Sequence, residues 1–517
     1  LAEVLLPPWV LPVSPEHIAP QDDQTTNFEA SLGRGPGQVQ IWADPRWQFK
    51  REFKSIRGDE RAALRVALND ARGRANIIRA TIHEPRRGSF QASELITNGT
   101  FSNGIAGWTV DTGWAATVSD RVAQVAVASS ARTNSPLFQT ITVIANAPHV
   151  LRTFTKQGRN TLLLGAFWNV GANISSASAG LQSVAYVPPS GSIQVGILES
   201  DIVPSAGRAG DFFLTNFLSV SRCALIDNSP NLLLQSDTLG TTWTTSAASV
   251  SSNVATAPDG TSTADQVVDT VANSAHFVQQ SVTVSSSSAD YTATCYFKSG
   301  ARVFAFLQMQ HATGQVFVGI DLTGGTLGSI TTNAGWTNSR ASITNEGNGW
   351  FRVDLTSNKT SADASVMVLF GPGTSTSVFT YAGTGTSGVN CWRAGFAQSS
   401  VPFAAAQTTT SASTGTSQSG SGVNVKGLPA STNGLLSADD FFEINGELKQ
   451  CTAALNSNAA GLGYMQFRPM LAGSPADGDA IIVNQPMGRF RLMNSYEYDN
   501  EFGLYMDATV ELTEVYG

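Results

Sequence analysis

The residues of this chain best suited to chemistry are flat aromatic rings set beside side-chain amides, and the chemistry they suit is sugar recognition. An aromatic face takes the C–H side of a pyranose ring, while Asn, Gln or a carboxylate takes its hydroxyls. In one stretch Trp108, Trp114 and Trp168 stand with Asn103, Asn169 and Gln194. In another, Trp243, Phe277, Trp336 and Trp350 stand with Gln308, Gln310 and Asn348. Trp108, Trp243, Trp350 and Trp392 hold positions that pack β-sandwich cores. Trp114 and Trp336 lie in Gly/Thr/Asn-rich turns and are expected as exposed platforms. The candidate sugar-contacting set is therefore Trp114, Trp168, Trp336, Phe277, Asn103, Gln194 and Gln308.

Signatures of catalysis are sparse. The 5 histidines fall in different segments, with no HExxH and no HxH pair. The 4 cysteines, Cys223, Cys295, Cys391 and Cys451, form no CxxC pair and read as buried free thiols. Cys295–Cys391 is the one bridge that would fall inside a single proposed module. No GxSxG elbow and no GxxxxGK[ST] loop occurs. A paired-carboxylate glycosidase needs two acids that meet in space, but the middle of the chain holds few of them. Asp259, Asp265, Asp269 and Asp321 read as turn or strand-end residues. The chain is expected to be non-enzymatic, without a catalytic metal. Arg57-Gly58-Asp59 is read as a chance tripeptide, because Asp59 suits a helix cap.

Composition sets the frame for these residues. The 517 residues allow two to four domains, since single cores stop growing at about 250–300 residues. Charged residues make up 14% of the chain, with Ser, Thr, Ala, Asn and 48 Gly in their place. That mix suits sandwiches with short turns. A net charge of −8 argues against nucleic acid as the main partner. No apolar run approaches the ~20 residues of a membrane helix, so membrane insertion is not expected. The apolar opening Leu1–Pro8 lacks the basic start of a signal peptide.

Charge is concentrated in residues 1–92 and 423–517, which are expected to fold together as one hub with the rest inserted. A helix is expected from Gly58-Asp59-Glu60-Arg61 onward, with Leu64, Leu68 and Ala71 as its apolar stripe. Asn445-Gly446 predicts a hairpin turn. The middle divides into modules at 93–228 and 229–407. Each opens with an apolar segment leading to a Trp, and each has a Gln ahead of alternating Val, Ile and Thr: Phe138-Gln139-Thr140-Ile141, and Val278-Gln279-Gln280-Ser281-Val282. Residues 408–422 (TTTSASTGTSQSGSG) read as a flexible linker. The fold expected is mostly β: a β-sandwich hub with one helix from the two ends, plus two inserted jelly-roll β-sandwiches.

Asn98-Gly99-Thr100-Phe101 with Gly107-Trp108, and the strand Phe212 to Val220, make the first module resemble galactose-binding-like jelly rolls that serve as carbohydrate-binding modules. Thr215 stands where that family usually has Asp; a structural calcium ion is the one cofactor the resemblance leaves open. Ala257-Pro258-Asp259-Gly260, Cys295-Tyr296-Phe297, Gly349-Trp350-Phe351-Arg352 and Cys391-Trp392-Arg393 make the second similar to sandwich modules of phage fibre and tail proteins. Trp47-Gln48-Phe49, Phe441-Phe442-Glu443-Ile444-Asn445-Gly446, Phe467-Arg468-Pro469 and Pro486-Met487-Gly488-Arg489-Phe490 make the outer segments resemble distal-tail-type minor tail proteins of long-tailed phages.

That resemblance implies a virion protein at the tail tip, assembled in the host cytoplasm. Its partners would be copies of itself in a ring (six favoured over three), tail-tube and tail-tip hub proteins, and host surface glycans. The rival reading is a secreted bacterial glycan-binding or glycan-degrading protein with two accessory modules. A third makes the modules spacers only.

Overall fold

The computed structural model describes residues 3–5, 17–21, 46–56, 58–71, 76–81, 87–90, 93–119, 122–128, 137–159, 164–168, 172–173, 180–199, 212–413, 418, 420–492, 497–501 and 505–515. Among the described residues the protein is mostly β, with one helix and several antiparallel sheets.

Gly58–Ala71 is the helix. Leu64, Leu68 and Ala71 recur at helical spacing and are buried together. Asp59, expected as the helix cap, is the second residue of the helix. At the other end the Asn76 side chain donates to Asp70 O at 2.7 Å, capturing a carbonyl the helix leaves open. This helix packs on a seven-stranded sheet ordered Glu3–Leu5, Ile77–Thr81, Met487–Leu492, Tyr505–Glu514, Arg46–Ile56 and His17–Gln21, with Glu497–Glu501 beside Tyr505–Glu514. Both ends of the chain therefore share one sheet. Phe53, Ile78, Phe490, Val510 and Leu512 fill the layer between sheet and helix.

Beside this sheet lies a closed barrel of Ala224–Ile226, Gly422–Lys426, Gly463–Arg468, Glu447–Cys451, Phe441–Ile444 and Ala480–Ile482. Asn445 and Gly446 turn its hairpin with φ of 53° and 77°, the left-handed pair that a two-residue turn needs. Sheet and barrel are joined through Glu514, which is fully buried and accepts from Leu448 N at 3.0 Å and Trp47 N at 3.3 Å. One barrel strand, Ala224–Ile226, comes from the short stretch between the two middle modules.

Each middle module is two facing sheets around its own core. In the first, one sheet runs Ala172–Asn173, Leu164–Trp168, Ser192–Glu199, Leu137–Thr142, Thr109–Val110. Its partner runs Gly180–Tyr186, His149–Arg159, Phe212–Arg222, Val122–Val127, Trp114–Ser119. The second module repeats both orders. One sheet runs Gly314–Asp321, Phe304–His311, Ser365–Gly373, Phe277–Thr283, Thr244–Ser246. The other runs Trp350–Lys359, Ala289–Ser299, Gly388–Ala397, Ala264–Asp269, Ala248–Ala255, with Trp336–Gly347 added outside.

Side chains repeat along with the topology. Trp108 Nε1 donates to Asn98 O at 3.1 Å, and Trp243 Nε1 to Gln235 O at 3.2 Å; both acceptor residues have positive φ. Glu94 Oε1 accepts from Ile96 N and Val220 N, as Asn231 Oδ1 does from Leu233 N and Phe396 N. The two modules are one structural unit used twice.

In both modules the same sheet is covered. The outer side of the first module's Gly180–Tyr186 sheet meets the barrel and the terminal sheet: Val150 packs with Leu225 and Ile482, and Phe154 and Phe217 with Leu5 and Met487. Arg152, fully buried, donates to Glu443 Oε2 at 2.8 Å and to Gln485 O at 2.8 Å. Thr215, where a calcium-binding Asp would stand, instead donates to Phe154 O at 3.1 Å. In the second module the chain from Ser399 to Phe403 crosses the equivalent sheet, taking bonds from Thr292 and Arg352.

Within residues 408–422, expected as a flexible linker, several of the described residues bond to the rest of the fold. Thr408 Oγ1 donates to Leu233 O at 2.7 Å, Ser413 N to Asn231 O at 2.9 Å, and Gln418 Nε2 to Asp227 O at 3.2 Å. The Thr408 hydroxyl, the Ser413 backbone N–H and the Gln418 amide supply those bonds. All four cysteines are free and buried, so Cys295 and Cys391 are not bridged. Among the described residues no helix is long and apolar enough to cross a membrane.

Candidate functional site

Trp114 and Trp336, expected as exposed platforms, are core residues, 6% and 3% exposed. Each follows a turn closed by its own N–H, to Asp111 O and Asn333 O, with Gly113 and Gly335 at φ of 82° and 80°. The glycine belongs to the turn, but the Trp after it is the first residue of a strand and points inward. Trp336 Nε1 finds Gly314 O at 3.3 Å, and its ring lies 5.4 Å from that of His311. Trp108, Trp243, Trp350 and Trp392 are buried as well.

The side chain of Trp168 and all of Asn169 lie outside the described residues. Asn103 is exposed in a turn that Asn98 organises, its N–H donating to Asn98 Oδ1 at 3.0 Å. Gln194 pairs with Thr140 on the uncovered sheet of the first module, between the core residues Ile193 and Val195. Asn348 sits in an exposed hairpin turn of the second module's other sheet. Phe277 and Gln308 share one face of that module's Phe304–His311 sheet, two strands and one row apart, and among the described residues no further sheet packs on that face.

Alternation builds this face. Val278, Val282, Val368, Phe370, Leu307, Met309, Val316 and Val318 point into the core, so Phe277, Gln279, Ser281, Met367, Leu369, Gln308, Gln310, Gln315 and Phe317 point away from it. Register aligns them in two rows across the strands. One reads Thr244, Gln279, Leu369, Gln308, Phe317; the next reads Ser281, Met367, Gln310, Gln315. Neither row holds a charged side chain.

Three amides lock together in the centre. Gln308 Nε2 donates to Gln310 Oε1 and to Gln315 Oε1, each at 3.0 Å. At one border Phe379 lies over the sheet, its ring 4.6 Å from Phe306 and 5.5 Å from Phe317. The turn carrying it crosses Gly319, where a Cβ would come within 2.0 Å of Thr376 O. At the opposite border a groove of about 450 Å³ is lined by Leu232, Leu234, Thr244, Gln279, Ser281 and Thr283. Polar amides, apolar floor residues and an edge groove suit an uncharged, hydroxyl-rich ligand lying across the strands.

Four carboxylates of the second module, Asp259, Asp265, Asp269 and Asp321, are engaged elsewhere. Asp259 and Asp321 accept from the N–H and hydroxyl of Thr261 and Thr323, which holds both carboxyls below the usual carboxylate range. Asp265 accepts from Leu239 N at 2.7 Å and Asn253 N at 2.9 Å, and burial raises its pKa. Asp269 binds Arg302 and Thr384; these bonds outweigh the largest single influence, desolvation, and hold it low. Among the described residues no group of three or more His, Cys, Asp or Glu could hold a metal ion.

Alternation in Phe304–His311 put Gln308 and Gln310 on one face and was readable in advance. Gln315, Gln279, Met367, Phe317 and Phe379 were missed, because their membership depends on which strands are neighbours.

No family model matches the sequence, and no curated protein does. Among solved structures, the chain is similar to the N-terminal CBM22-1–CBM22-2 tandem domain of Xyn10C from Paenibacillus barcinonensis. The match covers 60% of this chain and 99% of that one, with 10% identity and a TM-score of 0.21. A superposition that loose carries no argument about family or ligand.

Proposed function

We propose that this chain is a non-enzymatic structural protein that displays glycan-binding modules, and that it does so at the tail tip of a long-tailed phage. The observation that carries the binding half is the second module's uncovered face, with its amides of Gln308, Gln310 and Gln315 beside Leu369, Met367 and Phe317. The covered sheet serves attachment and the free one recognition.

The tail-tip half rests on the outer segments' resemblance to distal-tail-type proteins. It is supported by the sharing of one sheet between the chain's two ends, which leaves the modules as insertions into a common base. In this reading copies form a ring, six favoured over three, that contacts tail-tube and hub proteins and presents the modules to host surface glycans. Single contacts would be weak, and the ring would raise avidity by effective concentration. Because the face is uncharged, binding should persist at high salt.

Gold-labelled antibodies to residues 93–405, imaged on particles from the source, test the location. Label at the tail tip supports the reading. Protein free in the culture fluid, with clean particles, overturns it in favour of a secreted glycan-binding protein. A glycan screen with the whole chain tests the binding half separately.

A further inference from the structure

We infer that the second module's amide face selects glycans bearing acetamido groups. This rests on the glycan-binding reading above and adds the ligand class. Gln308 spends both N–H groups of its amide on Gln310 Oε1 and Gln315 Oε1. The amino groups of Gln310 and Gln315 remain for a ligand beside the carbonyl of Gln308, so the face presents amide N–H donors next to an amide acceptor. A ligand group that carries its own carbonyl and N–H in one plane engages both at once.

An acetamido group is of this kind. Its carbonyl accepts from the amino groups of Gln310 and Gln315, and its N–H meets Gln308 Oε1. Its methyl needs an apolar neighbour, which is in register: Met367 is paired with Gln310, and Leu369 with Gln308. Met367 is half-buried, and Leu369, 3% exposed, floors the row. The two rows hold no Arg or Lys, so nothing there rewards an anionic sugar.

The test measures binding of the whole chain by titration calorimetry to three β-1,4 oligomers of equal length: N-acetylglucosamine, its de-N-acetylated form and glucose. The acetylated oligomer is expected to bind roughly tenfold or more tighter than the others. Gln310→Glu, which replaces the amino donor by a carboxylate oxygen of the same shape, is expected to remove most of that preference while leaving the melting temperature unchanged. Equal binding of the three oligomers overturns the inference and leaves glycan binding standing. Acetylated binding untouched by Gln310→Glu also overturns it. If neither these oligomers nor any glycan in a broad screen binds, both the inference and the underlying reading fall.

Discussion

Gln139 and Gln280 do the same work in the two modules. Gln139 accepts from Thr97 N at 2.9 Å and donates to Thr97 O at 3.0 Å and Gly107 O at 2.8 Å. Gln280 accepts from Leu234 N at 2.6 Å and donates to Leu234 O at 3.0 Å and Thr242 Oγ1 at 3.2 Å. Each side chain ties its module's opening segment to the sheet, as a backbone neighbour would. Gln139→Met or Gln280→Met keeps the volume and removes every one of these bonds. Each should cost about 2–4 kcal/mol in denaturant unfolding, because the segment's N–H and C=O are left unpaired. Unchanged midpoints would remove the clamp role.

His149 gives the fold a pH dependence. It is buried, with Nδ1 at 2.8 Å from Ala147 O, and burial, helped by Arg222, lowers its pKa from 6.5 to about 4. Between those values the unfolded chain binds more protons than the folded one, so stability rises with pH there. The contribution is complete above pH 6.5 and is lost as pH falls toward about 4; its size is roughly 3 kcal/mol. His149→Asn keeps a donor for Ala147 O and should flatten the melting temperature across that window.

Arg152 and Glu443 join the first module to the barrel as a buried ion pair. Arg152→Met strands a buried carboxylate and should cost about 3–5 kcal/mol. Glu443→Gln in the same chain removes the charge while keeping an oxygen for Met487 N, which Glu443 now binds at 2.8 Å. The double variant should therefore be more stable than Arg152→Met alone. Additive losses in calorimetry would contradict the pairing.

Trp114 and Trp336 should behave as core residues. Either one changed to Ala should lose about 3–5 kcal/mol of stability. Glycan affinity should be unaffected where the fold persists, whereas Gln308→Ala should weaken binding without lowering the melting temperature. The reverse pattern would return the tryptophans to the binding surface.

The thiols should be silent until the chain unfolds. Burial raises the pKa of Cys223 well above its ordinary value and that of Cys451 to about 12, and Cys391 is raised further by its neighbour Cys295. Titration with a thiol reagent should find almost none in the native protein and 4 in guanidinium. Fewer than four in guanidinium would mean that a bridge exists.

Local patterns in the sequence predicted local structure well. Leu64, Leu68 and Ala71 marked the helix, Asn445-Gly446 the hairpin, and the two Gln-bearing strands the repeated module. What failed was inference from flanking composition. Gly113 and Gly335 made Trp114 and Trp336 look exposed, although a turn residue says nothing about the direction of the next side chain. The Ser/Thr run from Thr408 looked like a tether, yet the Thr408 hydroxyl and the Ser413 N–H bond to the opening segment of the second module. The binding face was half readable, since strand alternation fixes which residues share a side, but strand order decides whether Gln279 and Gln315 share a surface.

The three residues Ala224–Ile226 carry a mechanical consequence. They connect the modules, yet they are held between Gly422–Lys426 and Ala480–Ile482 as a stave of the barrel. A pull on either sandwich therefore runs into hydrogen bonds on both sides of that stave rather than into a slack tether. The barrel takes load through this stave as well as through the faces that pack on it, such as Val150 and Arg152 of the first sandwich, so the base yields as a stiff body rather than as a hinge.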